Sequence, residues 1–341
     1  MSLVYHFIDS DIKIDSQFET LDKRSVTNLF VLFFLILYHL HTVSAAPLAW
    51  QKTSACTTAQ KQFISNFSDL ERAYKTHSTE QFLSENKPTW TWGKKSEAIY
   101  LSHGFIGTPE EMSPVAEALA KLGYTVVNDI IPGHGVSGSI ANRYGFLSWQ
   151  NHVERNIQLL ESCFSKIHFI GFSTGALLIH DFLIRHPQFN STQSVTLYSP
   201  FYKPRNRYSE FLRTSARFLT PVISTSHLYF LTHFPDIQVA VIKPKNYLQE
   251  LPLDAAEAVT QLGQSVMKLP SVPLKVPTLL FVSDADMIID SATSIEFTSR
   301  DFKNLKLIRY TEGSVPHHLM VDAVSIKASD VRTQTVNFIS R

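Results

Sequence analysis

Lys166-Ile167-His168-Phe169-Ile170, Gly171-Phe172-Ser173-Thr174-Gly175 and Ala176-Leu177-Leu178-Ile179-His180-Asp181-Phe182-Leu183-Ile184 follow one another without interruption. The first run is short, apolar and β-branched and reads as a buried strand. The last suits a largely buried helix, ended by His186-Pro187. Between them stands a G-x-S-x-G pentapeptide. At such a turn both glycines let neighbouring backbones approach closely, and the serine hydroxyl is lifted into a cleft, so Ser173 reads as a nucleophile. Five residues match by chance often enough that the flanking sequence has to decide. Nine of the twelve glycines lie between Gly104 and Gly175, so a glycine-poor chain concentrates them in one set of loops.

Working outward, 341 residues with 44% hydrophobic and 18% charged side chains are enough to bury a sizeable core, which excludes a disordered or repetitive chain. One main domain with a large insertion fits. A net charge of +1 leaves no electrostatic footprint for nucleic acid. No zinc-finger, P-loop or dinucleotide glycine pattern is present.

Near the start, Lys23 and Arg24 precede the apolar run Leu29 to Tyr38, and Val43-Ser44-Ala45-Ala46 follows with small residues suited to signal-peptidase cleavage. Residues 1–46 are therefore expected to be an N-terminal extension and signal peptide of an exported, periplasmic or secreted protein. Extending the apolar run through Leu40 and Val43 keeps an uncleaved membrane anchor as the alternative. Cys56 and Cys163 are the only cysteines, and one pair in a large domain is no disulfide framework, so two free thiols are the expectation. Residues 47–95 carry no catalytic pattern and read as the segment leading into the sheet.

Upstream of the serine, Glu97 to Ser102 reads as a strand running into His103-Gly104-Phe105-Ile106-Gly107. Thr108-Pro109-Glu110-Glu111 then opens a helix, with capping-box spacing between Thr108 and Glu111, Pro109 at the first helical position and Gly123 beyond the end. Acyl transfer needs two backbone donors aimed at the oxygen that becomes negative. The loop after this strand and the residue after the serine supply them, which points to Phe105 and Thr174.

His103-Gly104-Phe105, Pro132-Gly133-His134-Gly135 and the serine turn stand in the order found in the α/β-hydrolase family, and the chain resembles that family over residues 97 to 200 and 275 to 341. The branch it is most similar to is that of carboxylesterases and monoacylglycerol lipases. The resemblance implies an α/β fold with a mostly parallel central sheet, helices on both faces and an inserted lid. The core would be residues 96–200 and 275–341, and the lid residues 201–274. Trp149, Val153, Ile157, Leu160 and Phe164 fit the helix that the family places before the nucleophile strand, with a core role by default.

The family's chain order is serine, acid, histidine. Pro277 to Ser283 is a buried-strand pattern followed by Asp284-Ala285-Asp286. Residues 284 and 286 of an extended chain point the same way, so alternation leaves both open. The resemblance favours Asp286 as the acid, Ser283 standing where the family usually has glycine. The strand-like run Leu305 to Tyr310 leads to Val315-Pro316-His317-His318, with helix-like sequence from near Asp322. The resemblance favours His317 as base, with His318 as the alternative and Pro316 in the place of the usual glycine. It also implies that His134 is structural, and that neither metal nor organic cofactor is needed.

Residues 201 to 250 carry nine aromatics and seven Lys or Arg against three Asp or Glu. Phe211, Leu212, Phe218, Leu219, Leu228, Tyr229, Phe230 and Leu231 are candidates for the wall of an acyl pocket or for the core of the lid. The basic surplus gives the lid a route to an anionic lipid surface or a phosphate head group, its ordinary role being a solvated face. The expectation is thus a serine hydrolase acting on a small acyl ester or lipid. The alternatives are a lysophospholipase, thioesterase, amidase or acyltransferase on the same scaffold, or an inactive binding protein.

Overall fold

The computed structural model describes residues 52–205, 220–232 and 235–341. Its first five strands are β1 (Thr89–Thr91), β2 (Ala98–Ser102), β3 (Thr125–Asp129), β4 (Ile167–Phe172) and β5 (Thr192–Tyr198). A separate antiparallel pair, β6 (Val222–Ser224) and β7 (Glu250–Pro252), precedes β8 (Leu274–Ser283) and β9 (Phe302–Tyr310). Seven of these form one sheet in the order β1-β3-β2-β4-β5-β8-β9. Within that sheet only the β1–β3 pairing is antiparallel.

Parallel strands joined by crossover helices must be covered on both faces, which is why β2, β3 and β4 are buried at every residue. Alternate side chains feed two separate cores. Tyr100, Phe169, Leu280 and Val282 enter one. Ile99, Leu101, Ile170, Phe172, Leu279 and Phe281 enter the other.

The helices are α1 (Ser54–Lys75), α2 (Ser113–Lys121), α3 (Gly138–Ala141), α4 (Phe146–Glu161), α5 (Thr174–Arg185), α6 (Thr225–Thr232), α7 (Pro235–Ile242), α8 (Leu253–Lys268), α9 (Ser291–Asp301) and α10 (Ala328–Ile339). The first core is closed by α4, α5 and α8, the second by α2 and α10. Trp149, Val153, Ile157, Leu160 and Phe164 are all buried, as their helical spacing predicts. Gly123, at φ +88°, ends α2 in the left-handed conformation that favours glycine.

Three expectations are corrected. Cys56 and Cys163 form a disulfide with Cα atoms 4.8 Å apart, so they are not free thiols. The cause is α1, whose buried Cys56, Ala59 and Phe63 lie on one face, and which packs on α4 so that its first turn reaches the residue just beyond the end of α4. That 22-residue helix falls in the stretch read only as a lead into the sheet. Third, the last helix begins at Ala328, because residues 321 to 327 are turns braced by Ser325 N–H to Val321 O and by Arg332 on Asp322.

The signal-peptide features at Lys23, Arg24, Leu29 to Tyr38 and Val43 to Ala46 lie outside the described residues. So do Phe211, Leu212, Phe218 and Leu219, and the side chains of Tyr229, Phe230 and Leu231. Leu228 is half-buried. Of the seven basic residues counted in 201 to 250, Lys203 pairs with Asp290 at 3.1 Å and Arg205 donates to the carbonyls of Asp284 and Asp286. Those two brace the fold.

Candidate active site

The elbow is built by two close approaches. A Cβ on Gly171 would stand 2.5 Å from Ala176 Cα, and one on Gly175 would stand 2.2 Å from Ser102 O and 2.5 Å from His103 O. The first glycine lets the chain double back. The second presses the start of α5 onto the end of β2, so that residues 102 to 105 and 173 to 175 share one corner. Ser173 itself takes φ +50°, ψ −110°, a conformation costly for a non-glycine residue that persists only where its surroundings enforce it. Here Ser173 N–H donates to Tyr198 O at 2.8 Å while Ser173 O accepts from Leu177 and Phe201.

His317 arrives from the loop after β9 and Asp286 from the loop after β8, and both are buried. His317 Nε2 lies 2.9 Å from Ser173 Oγ, and Nδ1 lies 2.7 Å from Asp286 Oδ2. With Nδ1–H donating to the carboxylate, Nε2 is left to accept the serine proton. The other oxygen, Asp286 Oδ1, accepts from the backbone N–H groups of Ile288 (2.9 Å) and Ile289 (3.0 Å), which fixes the carboxylate plane. Ser283, in the place of the expected glycine, is used: its hydroxyl donates to Val315 O at 2.6 Å and accepts from Ala285 N–H at 3.1 Å. One side chain thus ties the acid loop to the histidine loop.

The two alternates stand elsewhere. Asp284 accepts from Arg309 Nε at 2.8 Å in an ion pair at the surface. His318 is buried between the rings of Phe172 and Tyr247, at 5.2 Å and 5.8 Å. Burial, with His317 beside it, holds the His318 imidazole well below its usual range and therefore neutral.

Thr174 is the first residue of α5, and the N–H groups of a first turn have no partner within their helix, so its amide is left for the carbonyl oxygen of a substrate at Ser173. Across the corner, His103 Nδ1–H donates to Gly104 O at 2.7 Å and His103 Nε2 accepts from Ile131 N–H at 3.0 Å. Those bonds fix the tautomer. Because a trans peptide sets its C=O and N–H in opposite directions, anchoring Gly104 O aims the Phe105 N–H away from His103. Burial pushes His103 down to about 3, keeping it neutral and unsuited to the role of base. His134 is buried as well, pushed down to about 4 by the same cause, and packs on His103, Phe105 and Trp149.

The capping box expected at Thr108 and Glu111 does not form. Thr108 Oγ1 has its one proton between two acceptors, Asn86 Oδ1 at 3.1 Å and Asn246 O at 3.0 Å, and Glu111 turns away to accept from Gly104 N–H. The polar neighbours of this corner outcompete the local cap, and Pro109–Met112 becomes a 3₁₀ turn ahead of α2. Sequence reasoning assigned Glu111 no part in the site. A carboxylate four residues beyond Gly107, immediately before a buried Met112, was the available signal.

The family model described as "Serine aminopeptidase, S33" matches residues 93–323. A thermostable monoacylglycerol lipase of Bacillus sp. (strain H-257) is 36% identical over 108 residues, which are 32% of this chain and 40% of that protein. The match therefore spans less than half of that relative. Among solved structures, a metagenome-derived lipolytic enzyme is similar with a TM-score of 0.59 at 17% identity, over 76% of this chain and 99% of that one. The monoacylglycerol lipase of Paleococcus ferrophilus is similar with a TM-score of 0.55 at 16% identity, over 74% and 98%. At those identities the likeness is one of fold.

Proposed function

We propose that this chain, which belongs to the serine aminopeptidase, S33, family of α/β-hydrolases, cleaves carboxylic esters of the monoacylglycerol or a similar lipid-like class through an acyl-serine intermediate. The observation that carries the reading is the pair of hydrogen bonds that joins Ser173, His317 and Asp286 in series. The chain's likeness to a Bacillus monoacylglycerol lipase supports the ester class.

In this mechanism Ser173 Oγ attacks the ester carbonyl carbon as its proton passes to His317 Nε2, and the carbonyl π electrons move onto oxygen. Asp286 keeps Nδ1–H in place and stabilises the imidazolium. The Phe105 and Thr174 N–H groups hold the oxyanion. Collapse expels the alcohol, which takes the proton from His317 and leaves an acyl-serine. Water then attacks the acyl carbon as its proton passes to His317, and collapse breaks the bond to Ser173 Oγ, which takes that proton back from His317 as the acid leaves. Every proton moves through one imidazole.

An amide-cleaving variant is the second reading, because the family description names an aminopeptidase. Leaving groups separate the two. A panel of glyceryl and p-nitrophenyl esters graded by acyl length, beside aminoacyl amides, is expected to give turnover on esters and little on amides. Turnover confined to amides would overturn the ester assignment. The Cys56–Cys163 disulfide supports an oxidising compartment, in keeping with export through the N-terminal segment.

A further inference from the structure

Glu111 is a buried carboxyl that the mechanism above leaves unused. Only 4% of it is exposed, and it sits directly under the loop that carries Phe105. Its Oε1 accepts from the Gly104 N–H. A Cβ on Gly107 would fall 2.6 Å from Oε1 and 2.7 Å from Oε2, so the carboxyl fills the space that a side chain there would need. Gly104 and Gly107 thus clasp one carboxyl between them. Ile106, at the top of the clasp, takes φ +57°, an outlying conformation for a β-branched residue.

The inserted segment locks the same turn from the other side. Leu248 N–H donates to Ile106 O at 2.8 Å, and Thr108 Oγ1 donates to Asn246 O at 3.0 Å. Between those two bonds Tyr247 brings its hydroxyl to Glu111. Both Glu111 Oε2 and the Tyr247 hydroxyl are buried and lack a well-formed hydrogen bond among the described residues.

We infer that Glu111 is a positioning residue of the oxyanion loop: it grips the Gly104–Gly107 turn and couples it to the inserted segment at Tyr247. This rests on the reading of Ser173, His317 and Phe105 given above. The groups facing Glu111 are Tyr247 and Lys243 of the inserted segment and His317, with neutral His318 behind Tyr247. Burial pushes the carboxyl up to about 7, against the lowering effect of Gly104, Tyr247, His317 and Lys243 in that order.

The test compares the full chain with its Glu111→Gln and Glu111→Ala variants, reading kcat and KM on p-nitrophenyl butyrate across pH, with folding followed by circular dichroism. Glutamine keeps an acceptor oxygen for Gly104 and with it the turn, so its kcat stays within about fivefold of wild type. Alanine releases the turn, and kcat falls about tenfold to a hundredfold with KM within about threefold, as expected when a group acts in the transition state. A folded Glu111→Ala enzyme within about threefold of wild type in kcat overturns the inference. So does a folded Glu111→Gln enzyme that loses as much kcat as Glu111→Ala; if the alanine variant does not fold, Gly107→Ala, whose Cβ would stand 2.6 Å from Glu111 Oε1, is read in its place against the same threefold limit.

A wild-type chain that turns over no ester would sink the function reading by itself. In that case the Gly104 amide, followed in a ¹⁵N-glycine-labelled chain, still decides for Glu111. A Gly104 amide shift that stays near its wild-type value in Glu111→Gln and moves in Glu111→Ala supports the contact, and a shift unchanged in both overturns it.

Discussion

His317 Nδ1 stands 2.7 Å from Asp286 Oδ2, and no other carboxylate of the acid loop takes that place, since Asp284 is held at the surface by Arg309. That contrast gives the first prediction. Asp286→Asn is expected to lower kcat by about 10³- to 10⁴-fold, because an amide stabilises the wrong histidine tautomer. Asp284→Asn and His318→Asn are expected to stay within about tenfold, since neither side chain touches the reacting atoms. Steady-state kinetics on a short-chain ester reads all three. A larger loss from Asp284→Asn than from Asp286→Asn would reassign the acid.

The elbow predicts an asymmetry between glycines. A methyl at position 175 would meet Ser102 O at 2.2 Å, whereas one at position 145 meets nothing within 4 Å. Gly175→Ala is therefore expected to push α5 off β2 and to cost at least about tenfold in kcat even where the chain still folds. Gly145→Ala should change stability by no more than about 0.5 kcal/mol. Thermal melts and kcat, measured on both variants, separate the two, and equal effects would contradict the close approach.

The disulfide closes a sequence separation of 107 residues and ties α1 to the end of α4. Loop-closure entropy for a loop of that length is worth up to about 4.7 kcal/mol, and the observed cost of losing such a bond is about 2–5 kcal/mol, so Cys56→Ser with Cys163→Ser should lower Tm by on the order of 5–10 °C. None of the hydrogen bonds joining Ser173, His317 and Asp286 runs through either cysteine, so kcat at room temperature should hold. A melt insensitive to reductant would count against the pairing.

Acid sensitivity follows from the buried histidines. His103 and His134 are pushed down to about 3 and about 4, and His318 also lies well below its usual range, in each case first by burial. An unfolded chain protonates each near pH ~6.5, so below that value the unfolded state binds more protons and stability falls on acidification. Glu111 acts in the opposite sense, being pushed up to about 7, and its contribution is lost as pH rises from about 4.5 to 7. Three histidines outweigh one carboxyl. The urea midpoint should therefore drop between about pH 7 and pH 5, and a midpoint constant over that range would contradict neutral burial.

Much of the fold is visible in the sequence because its signals are local. The strand before Gly171, the helix after it and the helical spacing from Trp149 to Phe164 each carry their own periodicity, and each forms as that periodicity requires. What escaped depends on distance. Cys56 meets Cys163 only because α1 packs on α4, and α1 itself shows its buried face through a thin scatter at Cys56, Ala59, Phe63 and Tyr74. Thr108 and Glu111 have the spacing of a helix cap, yet each side chain is taken by a partner outside the helix, Asn246 and Gly104. Between Asp284 and Asp286 alternation gave no choice, and Arg309, 25 residues from Asp284, is what separates them.

The central claim is that Ser173 is the nucleophile, and covalent trapping tests it most directly. Intact and peptide mass spectrometry after exposure to a fluorophosphonate should find one adduct, on the peptide holding Gly171 to Gly175, and none in Ser173→Ala. A folded wild-type chain that takes up no label, or that labels equally in Ser173→Ala, would contradict the account.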